Sequence, residues 1–187
     1  MKPTVRHLPR QVDAFKLTQQ AIVLDGQLRV NELPRLTEAL SSTTGLPDLH
    51  PVLSFGIDAE GHRVAEGQVK AMLPITCQRC LQVMPYEVQA DIHWAFVTSD
   101  EAAKKLPAHL DPIMLSTSGY VDVYEMLEDE LLLSLPITAF HEDCEGAGAT
   151  KVFGEVVSEN ASATEKPFAA LADLFEKNSF EKTVLKK

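Results

Sequence analysis

Three cysteines and one histidine are the side chains of this sequence best suited to hold a soft metal ion. Cys77 and Cys80 stand three positions apart in Ile75-Thr76-Cys77-Gln78-Arg79-Cys80-Leu81, a gap that lets two thiolates reach one ion. Cys144 is the third and last cysteine, and His141 lies three positions before it. Together Cys77, Cys80, His141 and Cys144 offer three sulfurs and one nitrogen, the count a tetrahedral structural zinc site needs. The pattern departs from a zinc ribbon, because the second half is His-x-x-Cys rather than a repeated C-x-x-C. The plain alternative is that Cys77 and Cys80 are reduced residues at a strand end and that His141 is a loop residue. A thiol-redox role for the C-x-x-C pair requires a helix opening at the motif, so that the helix N-terminus lowers the thiol pKa. Val83, Tyr86 and Val88 predict a strand there instead.

The elements that must position these residues are legible in the alternation of the chain. Val52–Asp58 alternates, with Leu53, Phe55 and Ile57 on one face. His62–Cys77 continues as extended chain, with Gly67 a bulge or bend. Gln82–Val97 alternates through Tyr86, Val88, Ala90, Ile92, Trp94 and Phe96, which predicts a sheet with one buried face. The two cysteines therefore fall at the tip of a hairpin-like connection. Upstream, a short helix follows Pro9, a strand or hairpin surrounds Asp25-Gly26, and a helix begins near Asn31 with Pro34 in its first turn. Downstream, Ser99-Asp100-Glu101 opens a short helix and Ile113–Leu115 is a short strand. Asp122 caps the clearest helix, with Glu125 as reciprocal partner in a capping box and Pro136 as its stop. Its stripe is Val123, Met126, Leu127, Leu131 and Leu135, and Asp122, Glu125, Glu128 and Asp129 fall toward the other side. The reading is one α+β domain with a central antiparallel sheet, barrel-like or open, flanked by a few helices. Residues 1–10 form a flexible lead-in, 11–150 the domain, and 151–187 a linker with a short helix at Pro167–Phe175 and a flexible tail.

Charge narrows the partners. The 187 residues carry a formal net charge of −10. Residues 99–150 hold only Lys104 and Lys105 against eleven Asp and Glu, so the acidity belongs to one segment. Such a surface repels phosphate backbones and suits a basic protein. The partner-binding candidates are Asp122, Glu125, Glu128 and Asp129, with Arg79 in the cysteine turn. The rival is direct RNA contact through Arg6, Arg10, Lys16, Arg29 and Arg35. No apolar run spans a membrane and no signal-peptide core follows the basic start, so the expectation is a cytoplasmic protein with reduced thiols. There is no glycine-rich phosphate loop and no G-x-S-x-G elbow, so no catalytic residue is named and a small-molecule substrate is not expected.

The ordered set Cys77-Gln78-Arg79-Cys80-Leu81, Asp122-x-x-Glu125-x-x-Glu128-Asp129-Glu130-Leu131, Leu133-x-Leu135-Pro136, His141 and Cys144 resembles the YceD family of large ribosomal RNA subunit accumulation proteins. Val152-Phe153-Gly154-Glu155 and Pro167–Leu174 are similar to its closing segments, so the resemblance covers nearly the whole chain. It implies a non-enzymatic factor for synthesis, processing or stability of 23S ribosomal RNA, with ribosomal or RNA-processing proteins as partners. Family members commonly lie beside the gene of a large-subunit ribosomal protein. Some relatives carry further cysteines after the Leu-Pro stop, where this chain has Cys144 alone. The alternative is a small zinc-binding or thiol module with direct RNA contact or a redox role.

Overall fold

The computed structural model describes residues 6–141 and Cys144. In chain order the elements are β1 (Gln11–Asp13), α1 (Ala14–Gln19), β2 (Val23–Asp25), β3 (Leu28–Arg29), a 3-10 turn (Val30–Glu32), α2 (Pro34–Ala39), β4 (Asp48–Leu49), β5 (Val52–Ile57), β6 (Arg63–Thr76), β7 (Val83–Val97), α3 (Asp100–Ala103), β8 (Asp111–Met114), β9 (Tyr120–Asp122) and α4 (Val123–Leu133). The main sheet is open and five-stranded, in the order β2-β5-β6-β7-β8. This is the α+β class with few helices. The sheet is antiparallel except at one edge, where β8 runs parallel to β7 after a crossover through α3.

The long β6–β7 hairpin carries the architecture. It pairs without interruption from Val64↔Ala95 to Thr76↔Val83. Its alternation selects one face, where Ala65, Val69, Leu73, Val88, Ala90, Ile92 and Trp94 are all buried. Helix α4 packs on β7 and on α2, while α1 packs on β5 and β6. Phe55 and Phe96 stack at 5.9 Å between ring centroids. At the β8 end the second face is covered too: Val64, Ala95 and Leu110 form a small separate cluster with Leu106 against it. The strict one-face alternation of β7 therefore ends at Ala95, and Ala95 and Val97 are buried as well.

Several expectations change in detail. Gly67 is not a bulge, since it stays in register with both Leu53 and Ile92. It is required because a Cβ there would strike the Val52 carbonyl oxygen of the neighbouring strand. The Asp25-Gly26 pair does not make a hairpin: β2 pairs with β5 and β3 pairs with β4, because each strand finds its own partner downstream. Ile57 shares the parity of Leu53 and Phe55 but lies at the end of β5 and is exposed. Leu33, not Asn31, precedes the first turn of α2, with Pro34 inside that turn as expected. Arg6 to Leu8 already belongs to the fold, because Leu8 is buried and its N–H donates to the Gln27 carbonyl. The 167–175 helix and the 151–166 linker lie outside the described residues. Among the described residues no helix is long and apolar enough to cross a membrane.

Candidate metal centre

The tip of the β6–β7 hairpin is a tight knuckle. The Cys77 N–H donates to the Gln82 carbonyl and the Leu81 N–H donates to the Cys77 carbonyl, each at 2.9 Å. Leu81 closes the turn in the left-handed region, at φ 60°. That backbone is uncommon for a branched residue and marks a tightly determined turn. The segment after α4 is fastened to the knuckle at two points. Gln78 N–H donates to the Ala139 carbonyl at 2.9 Å, and Gln78 Nε2 donates to the Ile137 carbonyl at 3.0 Å. The Arg79 guanidinium lies 5.6 Å from the Phe140 ring centroid.

These bonds bring His141 and Cys144 to the knuckle. The Sγ atoms of Cys77, Cys80 and Cys144 and one ring nitrogen of His141 all lie within 4.8 Å of one another. Cys77 Sγ is 3.3 Å from Cys144 Sγ. His141 Nδ1 is 3.3 Å from Cys80 Sγ and 3.6 Å from Cys144 Sγ. A tetrahedron built on zinc–sulfur and zinc–nitrogen bonds of about 2.0–2.3 Å has edges of roughly 3.3–3.8 Å. Three of the six donor separations fall in that range and the rest stay within 4.8 Å, and the donor chemistry suits a zinc ion. Cys77 is buried, and His141 and Cys144 are half-buried, so the cluster is screened from water on one side.

The protonation pattern follows from the same geometry. Burial opposes a Cys77 thiolate, but the backbone N–H groups of Cys80, His141 and Arg79, together with the Cys144 thiol, stabilise it. The net effect lowers Cys77 to about 5. Cys144 moves the other way: burial raises it, and so do its contacts with the Cys77 and Cys80 sulfurs. The Cys77 and Cys144 sulfurs lie at hydrogen-bond distance, and the two opposite shifts favour ionisation of Cys77 over Cys144. N–H donors aimed at a ligand sulfur hold it in place and stabilise its charged form. The motif is followed by strand β7, not by a helix, so no helix N-terminus contributes.

The acidic candidates separate. Asp122 is the last residue of β9 and caps α4, with its Oδ1 accepting from the N–H groups of Tyr124 and Glu125. The reciprocal half of the expected capping box, a bond from the Asp122 N–H to the Glu125 side chain, is not formed among the described residues. The other oxygen of Asp122 accepts from Arg10 Nε at 2.8 Å. Asp129 pairs with Arg35 at 2.7 Å. Glu128 is a correction to the expected solvent-facing set: it is buried at 3% exposure. Its carboxylate accepts from the Leu36 backbone N–H at 3.0 Å and from Arg35 Nε at 2.9 Å, which locks α2 to α4. Of the four acids only Glu125 is exposed and has no ion-pair partner among the described residues. Arg79 is exposed, at the knuckle and not on α4. Sequence reasoning passed over Leu133, Ile137 and Phe140, which are apolar yet exposed in the segment that carries His141. The available signal was the apolar character of Ile137, Ala139 and Phe140 beyond the Pro136 helix stop.

The sequence pattern of the family described as "Large ribosomal RNA subunit accumulation protein YceD" matches residues 65–175, a span that contains all four cluster residues. The chain belongs to the YceD family. A YceD protein of Haemophilus influenzae, named "Large ribosomal RNA subunit accumulation protein YceD", is 33% identical over 172 residues, which is 91% of this chain and 97% of that protein. No solved structure matches this YceD chain significantly. The YceD match begins at Ala65, inside β6, so it takes in the whole knuckle and the segment fastened to it.

Proposed function

We propose that this protein is a non-enzymatic factor needed for accumulation of the large ribosomal RNA, acting on synthesis, processing or stability of 23S RNA through protein contacts. The observation that carries the reading is the convergence of Cys77, Cys80, His141 and Cys144 within the family-matched span. In this reading the four residues hold a structural zinc ion. A closed set of three thiolates and one imidazole leaves no open position for a substrate, so the ion's contribution is to fix the knuckle against the segment after α4. Gln78 and the N–H donors around Cys77 pre-set that geometry.

Protein contact is favoured over direct RNA contact by the pairing of charges. Arg10 and Arg35, two of the five basic residues a direct RNA surface would use, are held by Asp122, Glu128 and Asp129. No Lys or Arg occurs between residues 106 and 150. A surface of that sign attracts basic proteins and repels phosphate. The test is complementation of a strain lacking the gene. Deletion should lower the ratio of 23S to 16S RNA, and the intact gene should restore it. A folded variant with Glu125→Lys and Asp129→Lys should lose co-sedimentation with large-subunit precursors. An unchanged RNA ratio on deletion overturns the role, and unchanged co-sedimentation of the variant overturns the acidic contact.

A further inference from the structure

Among the exposed large apolar side chains of the described surface, four lie at the hairpin tip, at the end of α4 and on the segment that carries His141. Leu81 is 76% exposed, Ile137 95%, Leu133 81% and Phe140 48%. Leu81 and the pair Ile137 and Phe140 stand on the two chain segments that the Gln78 bonds and the Arg79–Phe140 contact hold together. Leu133 is the last residue of α4, four positions before Ile137 in sequence. Large apolar residues grouped at one end, on segments fixed by hydrogen bonds and a cysteine–histidine cluster, are costly to leave in water and mark an interaction site. Three of the four come from the stretch without Lys or Arg, and Glu142, Asp143 and Glu145 follow in the sequence.

We infer that this knuckle, built on Leu81, Leu133, Ile137 and Phe140, is the docking surface for a protein segment that combines apolar anchors with lysine or arginine. The inference rests on the protein-contact reading above and deepens it. The carboxylates of α4 that lie nearer its start are capped or paired, apart from Glu125. Glu125 and the excess of acid over base in residues 99–150 steer a basic partner, and the apolar knuckle supplies the anchoring contact. Charge steers encounter and selects sign, while desolvated apolar anchors carry most of the affinity. The partner is a protein and not RNA, because Arg79 is the only Lys or Arg on either segment that builds the surface.

The test uses the full zinc-loaded chain and three synthetic 18-residue peptides, one patterned with Lys and Leu, one with Lys and Ser, and one with Glu and Leu. Fluorescence anisotropy should show binding of the Lys/Leu peptide and at least about tenfold weaker binding of the other two. The double variant Leu81→Asn and Ile137→Ser should weaken the Lys/Leu peptide by about tenfold or more. Asn is chosen because it tolerates the left-handed backbone at position 81. A control variant, Val23→Ser and Ile57→Ser, removes equally exposed apolar residues elsewhere and should bind as the parent does. Unchanged zinc content and circular dichroism establish that the variants are folded. Equal binding of the Lys/Ser peptide, undiminished binding by the knuckle variant, or knuckle-dependent binding of polyuridine RNA in place of peptide overturns the proposal. The 23S to 16S ratio is read in parallel in the deletion strain. A normal ratio restored by the knuckle variant removes the docking surface and leaves the RNA role standing, whereas a ratio unaffected by deletion removes the role itself.

Discussion

Burial raises the pKa of the Glu130 carboxyl above the ordinary glutamate value, against the opposing hydrogen bond from Trp94, with Asp111 and Asp129 adding to the rise. Trp94 is fully buried, and its Nε1–H donates to Glu130 Oε1 at 2.7 Å, tying α4 to the centre of β7. The sign follows from linkage. A carboxyl whose folded pKa is raised favours folding fully below the ordinary glutamate pKa, and that stability is lost as pH rises through the raised value. Glu130→Gln keeps an oxygen that can accept from Trp94 and cannot ionise. The variant should therefore melt at a higher temperature than the parent at pH 7, and the gap should narrow toward pH 4. A gap independent of pH would show that Glu130 carries no such cost. The contrast with Glu128, two positions away, is instructive. Glu128 looked like a solvent-facing acid at helical spacing, because α4 alone shows an amphipathic stripe. Only the approach of Arg35 and the Leu36 N–H from α2 makes room for a buried carboxylate at 128, and those residues are more than ninety positions upstream.

At the scale of elements, Gly67 is the tightest point of the sheet. It stands between Leu53 and Ile92, and any Cβ meets the Val52 carbonyl oxygen and the Leu53 side chain. Gly67→Ala should cost about 2 kcal/mol through overpacking and strand displacement, measured by urea denaturation with an unchanged slope. A cost near zero would mean that β5 moves freely over β6. The long β6–β7 hairpin was readable from period-two alternation, since residues Tyr86 to Phe96 keep one parity toward the core. The four side chains that meet at its tip could be picked out as well, because C-x-x-C and H-x-x-C are distinctive types at short spacing. What alternation could not reveal is pairing at a distance. The parallel edge strand β8, the separate partners of β2 and β3, and the strand β1 that pairs with β9 near the start of α4 all depend on segments far apart in sequence. Gly67 was visible as a break in side-chain pattern, but a missing Cβ reads the same in sequence for a bulge and for a close approach.

At the scale of the whole molecule, the two ends of the main sheet differ in character. One is closed by α3 and the Val64, Ala95 and Leu110 cluster. The other ends in a knuckle joined to the segment after α4 by Gln78, Arg79 and the cysteine–histidine cluster. The candidate metal ligands and the apolar anchors stand at that second end, and the central claim is that the cluster binds a structural zinc ion. The most direct measurement is elemental analysis of the full chain, purified without a metal-affinity tag and then dialysed, beside Cys77→Ser and Cys80→Ser. The account predicts about one zinc per chain in the parent, loss of that zinc in both variants, and a lower melting temperature when a strong chelator strips the parent. A parent chain that holds no zinc after reconstitution, with all three thiols open to titration and melting unaffected by chelator, would contradict it.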